Sequence, residues 1–225
     1  DDLFRQFKIK ALTAGVDDVS YLIGSAGPNG YQDIIAPPNS RPLAAGDVFM
    51  LDTGCVWDGY FSDFDRNFAI HHASDEAHET HHRLYDATQA AIDILRPGVT
   101  AADLFFAMDA ILRPDHQGSS QHEQISAVKT GDDGVGRYGH GLGTQLTEPP
   151  SHTNWDQTVI TAGMTLTLEP SLGYGNGLTM VAEENLLVLE DQVVLLSTRA
   201  PRDLPVIPAW QGQRRISHDR HCHQI

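Results

Sequence analysis

Cysteine is nearly absent: Cys55 and Cys222 are the only two in 225 residues, and they stand far apart in the chain. Two distant thiols make neither a disulfide framework nor a thiolate metal site, and they point to a reducing, intracellular setting. Long apolar runs are also missing. No stretch reaches the roughly 18 apolar residues of a membrane-spanning helix, and the opening DDLFRQFKIK has no apolar centre of the kind a secretory signal needs. A cytoplasmic protein with no membrane partner is expected. Positive charge is scarce too, with Lys plus Arg at 15 against Asp plus Glu at 30 and a formal net charge of −15. A surface that acidic repels nucleic acid and anionic lipid, so neither is an expected partner. It suits a freely soluble protein, or one whose acidic groups are partly cancelled by bound cations. Internal repeats and low-complexity linkers are lacking as well. The hydrophobic share of 40% is modest but sufficient for one well-filled domain at this length.

What is present reads as strands, then two central helices, then strands again. Leu3, Phe4, Phe7, Ile9, Leu12 and Ala14 form one face of a helix over residues 3–14. VSYLIGS reads as a strand and the following GSAGPNGYQ as a glycine-rich turn. VFMLDTGCVW is a second strand, and GYFSDFDRNFAI alternates well enough to be its hairpin partner. Ser74, with Asp75 and Glu76 behind it, opens a helix that carries Leu84, Ala87, Ala91, Ile94 and Leu95 and stops at Pro97-Gly98. Thr100 and Asp103 open a second helix with Leu104, Met108, Ile111 and Leu112. After a polar, irregular stretch over 113–133 come strand-like segments in TVITAGMTLTLEPSLGY, GLTMVAEENLLVLE and VVLLST, and a loose tail from Pro201. This order predicts an α+β domain.

Five residues stand out chemically. Asp52 lies in LDTG near the end of one strand and Asp63 in YFSDFDR on its hairpin partner, so their carboxylates can converge across the sheet. Glu169 in TLTLEP and Glu183 in MVAEEN sit 14 residues apart, and a second hairpin brings them opposite each other. His140, in RYGHGLG, sits among glycines that let the backbone bend close to a metal. Divalent cations need several oxygen ligands, and a bridging carboxylate holds two ions close together. Singly these are weak signals; acidic side chains in otherwise apolar strands are costly to bury and strengthen them.

LDTGCVWDGYFSDFDRNF, PGVTAADL, GHGLG, TLEPSLGY and VAEENLLVLE together resemble the pita-bread metalloenzyme family, which includes aminopeptidase P, prolidase, methionine aminopeptidase and creatinase. The resemblance runs from Ala11 to about Ile207. It implies the pita-bread fold, an antiparallel curved sheet covered by helices, over residues 1–207, with 208–225 as a C-terminal tail. It also implies two divalent metal ions (Mn, Fe, Zn or Co) held by Asp52, Asp63, His140, Glu169 and Glu183. Glu169 takes the water proton in that scheme, His140 belongs to the catalytic set, and Glu184 stands beside the metal shell without coordinating. The family's catalytic domain usually begins with a longer helical stretch, so the chain is expected to be a fragment. A homodimer and a small-molecule or short-peptide substrate complete the expectation.

Two positions depart from the family pattern. Its peptidases resemble one another in a second His seven residues after the ligand His, where this chain has Thr147, and in another about seventeen residues before the first Asp, where it has Ile35. Thr147, Tyr138 or Arg137 is expected to replace part of that lost donor set, with His152 and His122 as loop histidines able to approach. Asp65 stands where many relatives carry Thr; it is a candidate metal ligand, outer-sphere acceptor or partner of Arg66. Asp58 is read as the turn residue of Asp58-Gly59. The leading expectation is a dinuclear hydrolase of a small amide, of the Xaa-Pro aminopeptidase or prolidase type. Its alternative is a non-peptidase on the same scaffold, such as a dimethylsulfoniopropionate lyase or a creatinase- or ectoine-hydrolase-like enzyme, with Asp65, Glu148 or Tyr138 as the base. A metal-free pita-bread binding domain is the third reading.

Overall fold

The computed structural model describes residues 1–115 and 136–208. Helix α1 spans Asp2–Ala14 and is followed by strands β1 (Asp18–Pro28), β2 (Asp47–Trp57), β3 (Tyr60–Phe61) and β4 (Phe64–Ile70). Helices α2 (Asp75–Ile94) and α3 (Ala101–Leu112) come next. The second strand group is β5 (His140–Gly141), β6 (Glu148–Ser151), β7 (Thr165–Leu168), β8 (Ser171–Tyr174), β9 (Leu178–Val181), β10 (Glu184–Val188), β11 (Val193–Leu195) and β12 (Val206–Ile207). The architecture is α+β, as expected.

The helix ends follow local chemistry. Ser74 caps α2 by accepting from the Ala77 amide, and Thr100 and Asp103 form a reciprocal capping box on α3. Both helices bury a stripe. Ala77, Leu84, Ala87 and Ala91 of α2 meet Leu104, Phe105 and Met108 of α3 in one core with Val48, Met50, Ala69, Leu166, Leu168, Leu186 and Val188 of the strands. The α1 stripe behaves differently. No residue of α1 is fully buried, and Leu3, Ile9 and Leu12 are exposed; Phe4, Phe7 and Ala11 are half-buried, with the Phe4 ring lying against Gly24 of β1.

Among those residues the expected sheet is divided into three parts. One sheet runs β1-β2-β4-β12, with β3 on β2; a second runs β11-β10-β7-β5-β6; β8 and β9 form a two-stranded ribbon. Pairing is antiparallel except for β12, which lies parallel to β4. The expected turn at GSAGPNGYQ falls later than its glycines suggest. β1 continues to Pro28 because the eleven-residue β2 supplies a partner along its whole length, with Gly27 opposite Val48 and Pro28 opposite Asp47. The chain turns instead at Asn29 (φ 58°).

One long hairpin spans two of these parts. Leu168 faces Glu184 in the β7–β10 ladder, Ser171 faces Val181 in the β8–β9 ladder, and the Ala182 amide donates to the Pro170 carbonyl between them. The same register therefore runs through both ladders, and it places Glu169 across from Glu183 where the strands change sheet.

Side chains, not ladder bonds, join that crossing point to β4. The Asn67 amide donates to the Val181 carbonyl, and its oxygen accepts from the Tyr31 hydroxyl at 2.7 Å. The Arg66 guanidinium donates to the Glu183 carbonyl at 2.5 Å and to the Glu184 carboxylate at 3.0 Å. Glu184 is buried, and its other oxygen accepts from the Ala200 amide, so its charge is consumed structurally.

A buried carboxylate and imidazole centre

Six side chains converge at the junction of the two larger sheets. Asp52 comes from β2 and Asp65 from β4, directly opposite each other in the ladder. Asp63 lies in the short link between β3 and β4. His140 begins β5, Glu169 follows β7, and Glu183 precedes β10. The sequence pairs Asp52 with Asp63 across the hairpin; in the structure the direct cross-strand partner is Asp65, and Asp63 arrives from beyond the ladder.

Asp63, His140 and Glu183 bring one ligand atom each within 4.8 Å of one another, and so do Asp52, Asp65 and Glu183. His140 Nε2 lies 3.7 Å from Asp63 Oδ2 and 3.7 Å from Glu169 Oε2. His140 Nδ1 is 2.8 Å from the Gly141 carbonyl. A carbonyl only accepts, so the proton is on Nδ1 and the Nε2 lone pair faces the carboxylates, which is the tautomer a metal takes. Burial pushes the His140 pKa down and keeps the ring neutral.

The close approach that glycine provides here is to a strand. A Cβ at Gly139 (φ 129°) would stand 2.3 Å from the Thr167 carbonyl oxygen. Only glycine lets this segment lie against β7, where the His140 amide donates to Thr167 Oγ1 at 3.0 Å.

Burial is uneven. Asp52, Asp63, Asp65, His140 and Glu183 are all buried, whereas the Glu169 side chain is 26% exposed. Glu169 is thus the carboxylate on the open side. Burial and the charges of Asp52 and Glu169 push Asp63 from its ordinary 3.8 up to about 8. Burial lifts Glu169 from 4.5 to about 7, with Arg137 pulling it down and Asp52 pushing it up. Asp52, Asp65 and Glu183 also move upward, burial leading in each.

Four buried oxygens of this group, Asp52 Oδ1, Asp63 Oδ1, Asp65 Oδ1 and Glu183 Oε1, have no hydrogen-bond donor. Stranded buried acceptors are costly, and stranded charges more so. Divalent cations seated among these oxygens would offset that cost. Five carboxylates and one neutral imidazole are a donor set suited to such ions.

The remaining candidates separate clearly. Tyr138, expected near the reacting group, is a core residue: its ring stacks on Phe105 at 4.7 Å and its hydroxyl donates to Asp109 at 3.1 Å. It leaves the catalytic set for that reason. Glu148 closes its own loop by accepting from the Gln145 amide at 2.8 Å and the Thr144 hydroxyl at 3.2 Å. Both bonds are to Oε1 and hold that oxygen to the loop. His152 is fully buried, with its pKa pushed down to about 4, and is no surface histidine free to swing. His122 lies outside the described residues. Thr147 and Ile35 are exposed, and Arg137, also exposed, sits close enough to depress Glu169.

Asn185 is the residue that spacing and residue type did not reveal. Its side-chain oxygen accepts from the Asp63 amide at 3.0 Å, and its NH₂ donates to the Asp63 carbonyl. An asparagine inside a strand carries no signal of its own; only its position two residues after Glu183 in a paired strand gives it this reach. Asn185→Ala is expected to weaken metal binding by about 10- to 100-fold, as loss of an outer-sphere partner does. Chelator competition measures this, and unchanged affinity would remove Asn185 from the site.

The profile of metallopeptidase family M24 matches residues 2–195. The Xaa-Pro dipeptidase of Lactobacillus helveticus is 29% identical over 171 residues, covering 76% of this chain and 43% of that protein. Two crystal structures are similar in fold. Dipeptidase PepE from Mycobacterium ulcerans has a TM-score of 0.76 at 27% identity, over 92% of this chain and 52% of that one. Recombinant prolidase from Thermococcus sibiricus has a TM-score of 0.75 at 25% identity, over 91% and 52%. The chain spans about half the length of the relatives it matches.

Proposed function

The chain belongs to metallopeptidase family M24, and on that premise we propose that it carries the catalytic centre of a two-metal dipeptidase of the Xaa-Pro type. The ligands are Asp52, Asp63, His140, Glu169 and Glu183, with Glu183 shared between the two ion positions. The observation that carries the reading is the pair of ligand triads meeting at Glu183, with four stranded carboxylate oxygens. A metal-free binding domain would leave those four atoms unpaired.

When bound, manganese, iron, zinc or cobalt ions supply Lewis acidity, lowering the pKa of water and polarising a carbonyl. The chain's own residues do the rest. Glu169, the carboxylate open to solvent on one side, takes the proton of the attacking water and returns it to the leaving nitrogen. Arg137, exposed and close enough to depress Glu169, brings positive charge to the open side of the centre. It thereby offsets part of the donor capacity that histidines would supply at positions 35 and 147. A short peptide with proline after the scissile bond is the substrate, by similarity to the prolidases named above.

The test is hydrolysis of Xaa-Pro dipeptides by manganese-loaded protein. Glu169→Gln is expected to lower kcat by at least about 100-fold, the low end of general acid–base catalysis. Metal content is measured on the same samples. No turnover by metal-replete wild type would overturn the proposal.

A further inference from the structure

Asp65 lies outside the five-ligand set that the family resemblance implies, yet it is placed as a ligand is. It faces Asp52 across the β2–β4 ladder, so both side chains project from the same face of the sheet. It is 3% exposed, and its Oδ1 has no donor. The neighbouring cation is directed elsewhere: the Arg66 guanidinium donates to the main-chain carbonyls of Asp65 and Glu183 and to the Glu184 carboxylate. Pairing with Arg66 therefore leaves the Asp65 Oδ1 unsatisfied.

We propose that Asp65 is itself a metal ligand, completing with Asp52 and Glu183 an ion position made only of carboxylates. The inference rests on the reading of this centre as a metal site. It deepens that reading by adding a third carboxylate to the position that lacks an imidazole. Asp63, His140 and Glu183, with Glu169 Oε2 3.7 Å from His140 Nε2, offer three carboxylates and one imidazole nitrogen, a mixed set that takes borderline ions such as zinc or cobalt. Asp52, Asp65 and Glu183 offer three carboxylates and no nitrogen, a set for harder, oxygen-seeking ions such as manganese(II). A threonine at position 65 would bring a hydroxyl and no charge, so the aspartate raises both the charge and the hardness of one position alone.

The test is manganese(II) binding to the intact chain, followed by calorimetry and by the electron spin resonance of free manganese. Wild type is expected to bind two ions in distinguishable steps. Asp65→Asn, which keeps the shape and removes the charge, should weaken one step by at least about tenfold, the scale on which outer-sphere losses already act. The other step should stay within about threefold. His140→Ala should weaken the complementary step. Asp65→Thr is the second variant, and circular dichroism of the metal-free proteins checks that both have folded. Two unchanged steps in the folded Asp65 variants would overturn the proposal. So would loss of the same step in the Asp65 and His140 variants. Failure to cleave peptides with these binding results intact would sink the dipeptidase reading and leave the role of Asp65 standing. Absence of manganese uptake by wild type would overturn both.

Discussion

Glu183→Gln is expected to empty both ion positions and to reduce peptide hydrolysis by more than about 1,000-fold, the scale lost when a catalytic ion and the groups it orients are removed together. Glu183 is the one residue present in both ligand triads. It is 1% exposed, and its Oε1 has no donor. Glutamine has the same volume but replaces one acceptor oxygen by an NH₂ group, which cannot ligate and which donates to the neighbouring carboxylates. The metal-free variant should therefore fold at least as well as metal-free wild type, because one of the four buried carboxyls, whose ionisation burial opposes, is gone. Metal dependence of stability should vanish with it. An ion present at 100 times its dissociation constant stabilises the folded state by about 2.7 kcal/mol, and that increment should be seen for wild type and not for Glu183→Gln. Thermal melts with and without manganese, beside elemental analysis, check both statements. Two retained ions in the variant would show that Glu183 bridges nothing.

The five proposed ligands were legible in the sequence mainly through the family's motifs, with local register bringing their pairs within reach of one another. Eleven residues separate Asp52 from Asp63 across one tight turn, and 14 separate Glu169 from Glu183 across another. Two hairpins with short turns convert such spacings into meeting points almost without tertiary information. The α2 and α3 boundaries were legible for a similar reason, since Ser74 and Thr100 cap their helices through bonds within four residues. What was not legible is what depends on contacts between elements. Tyr138 lies two residues before His140, and nothing in RYGHGLG says that its ring turns to Phe105 on α3. Arg66 reads as a charge on a strand, yet the Glu183 and Glu184 groups it serves lie more than a hundred residues away. The length of β1 was set by its partner β2, which overrode the glycines and proline of its second half. Asp65 falls between the two cases. Its face was readable from the two-residue period after Asp63, but its seat opposite Asp52 is a fact of register.

Metal-free protein should lose stability as pH rises from about 6.5 to about 8.5, and metal-loaded protein should not. The sign follows from which state holds the proton. Asp63 moves from an ordinary 3.8 to about 8 in the folded chain and Glu169 from 4.5 to about 7, while Asp65 and Glu183 move upward as well. A carboxyl with a raised folded pKa binds its proton more tightly when folded. Its stability is fully present below the unfolded pKa and is lost as pH climbs through the folded one. Buried histidines work the other way. His81, His140 and His152 all have lowered pKa values, so they favour folding increasingly up to their ordinary 6.5 and add nothing beyond it. Below that point the two groups oppose each other. Above it the carboxylates act alone, which is why the window opens there. The paired carboxylates Asp47, Asp86 and Asp156, shifted downward, exert their pH dependence below about 4 and do not enter it. Bound ions replace the protons on the central carboxylates, so loading should remove the fall and make ion affinity itself increase with pH. Melting temperatures of chelated and manganese-loaded protein at pH 6.5, 7.5 and 8.5 test this. A flat or rising profile for the chelated protein would mean that the central carboxyls do not hold their protons in the folded chain as their burial implies.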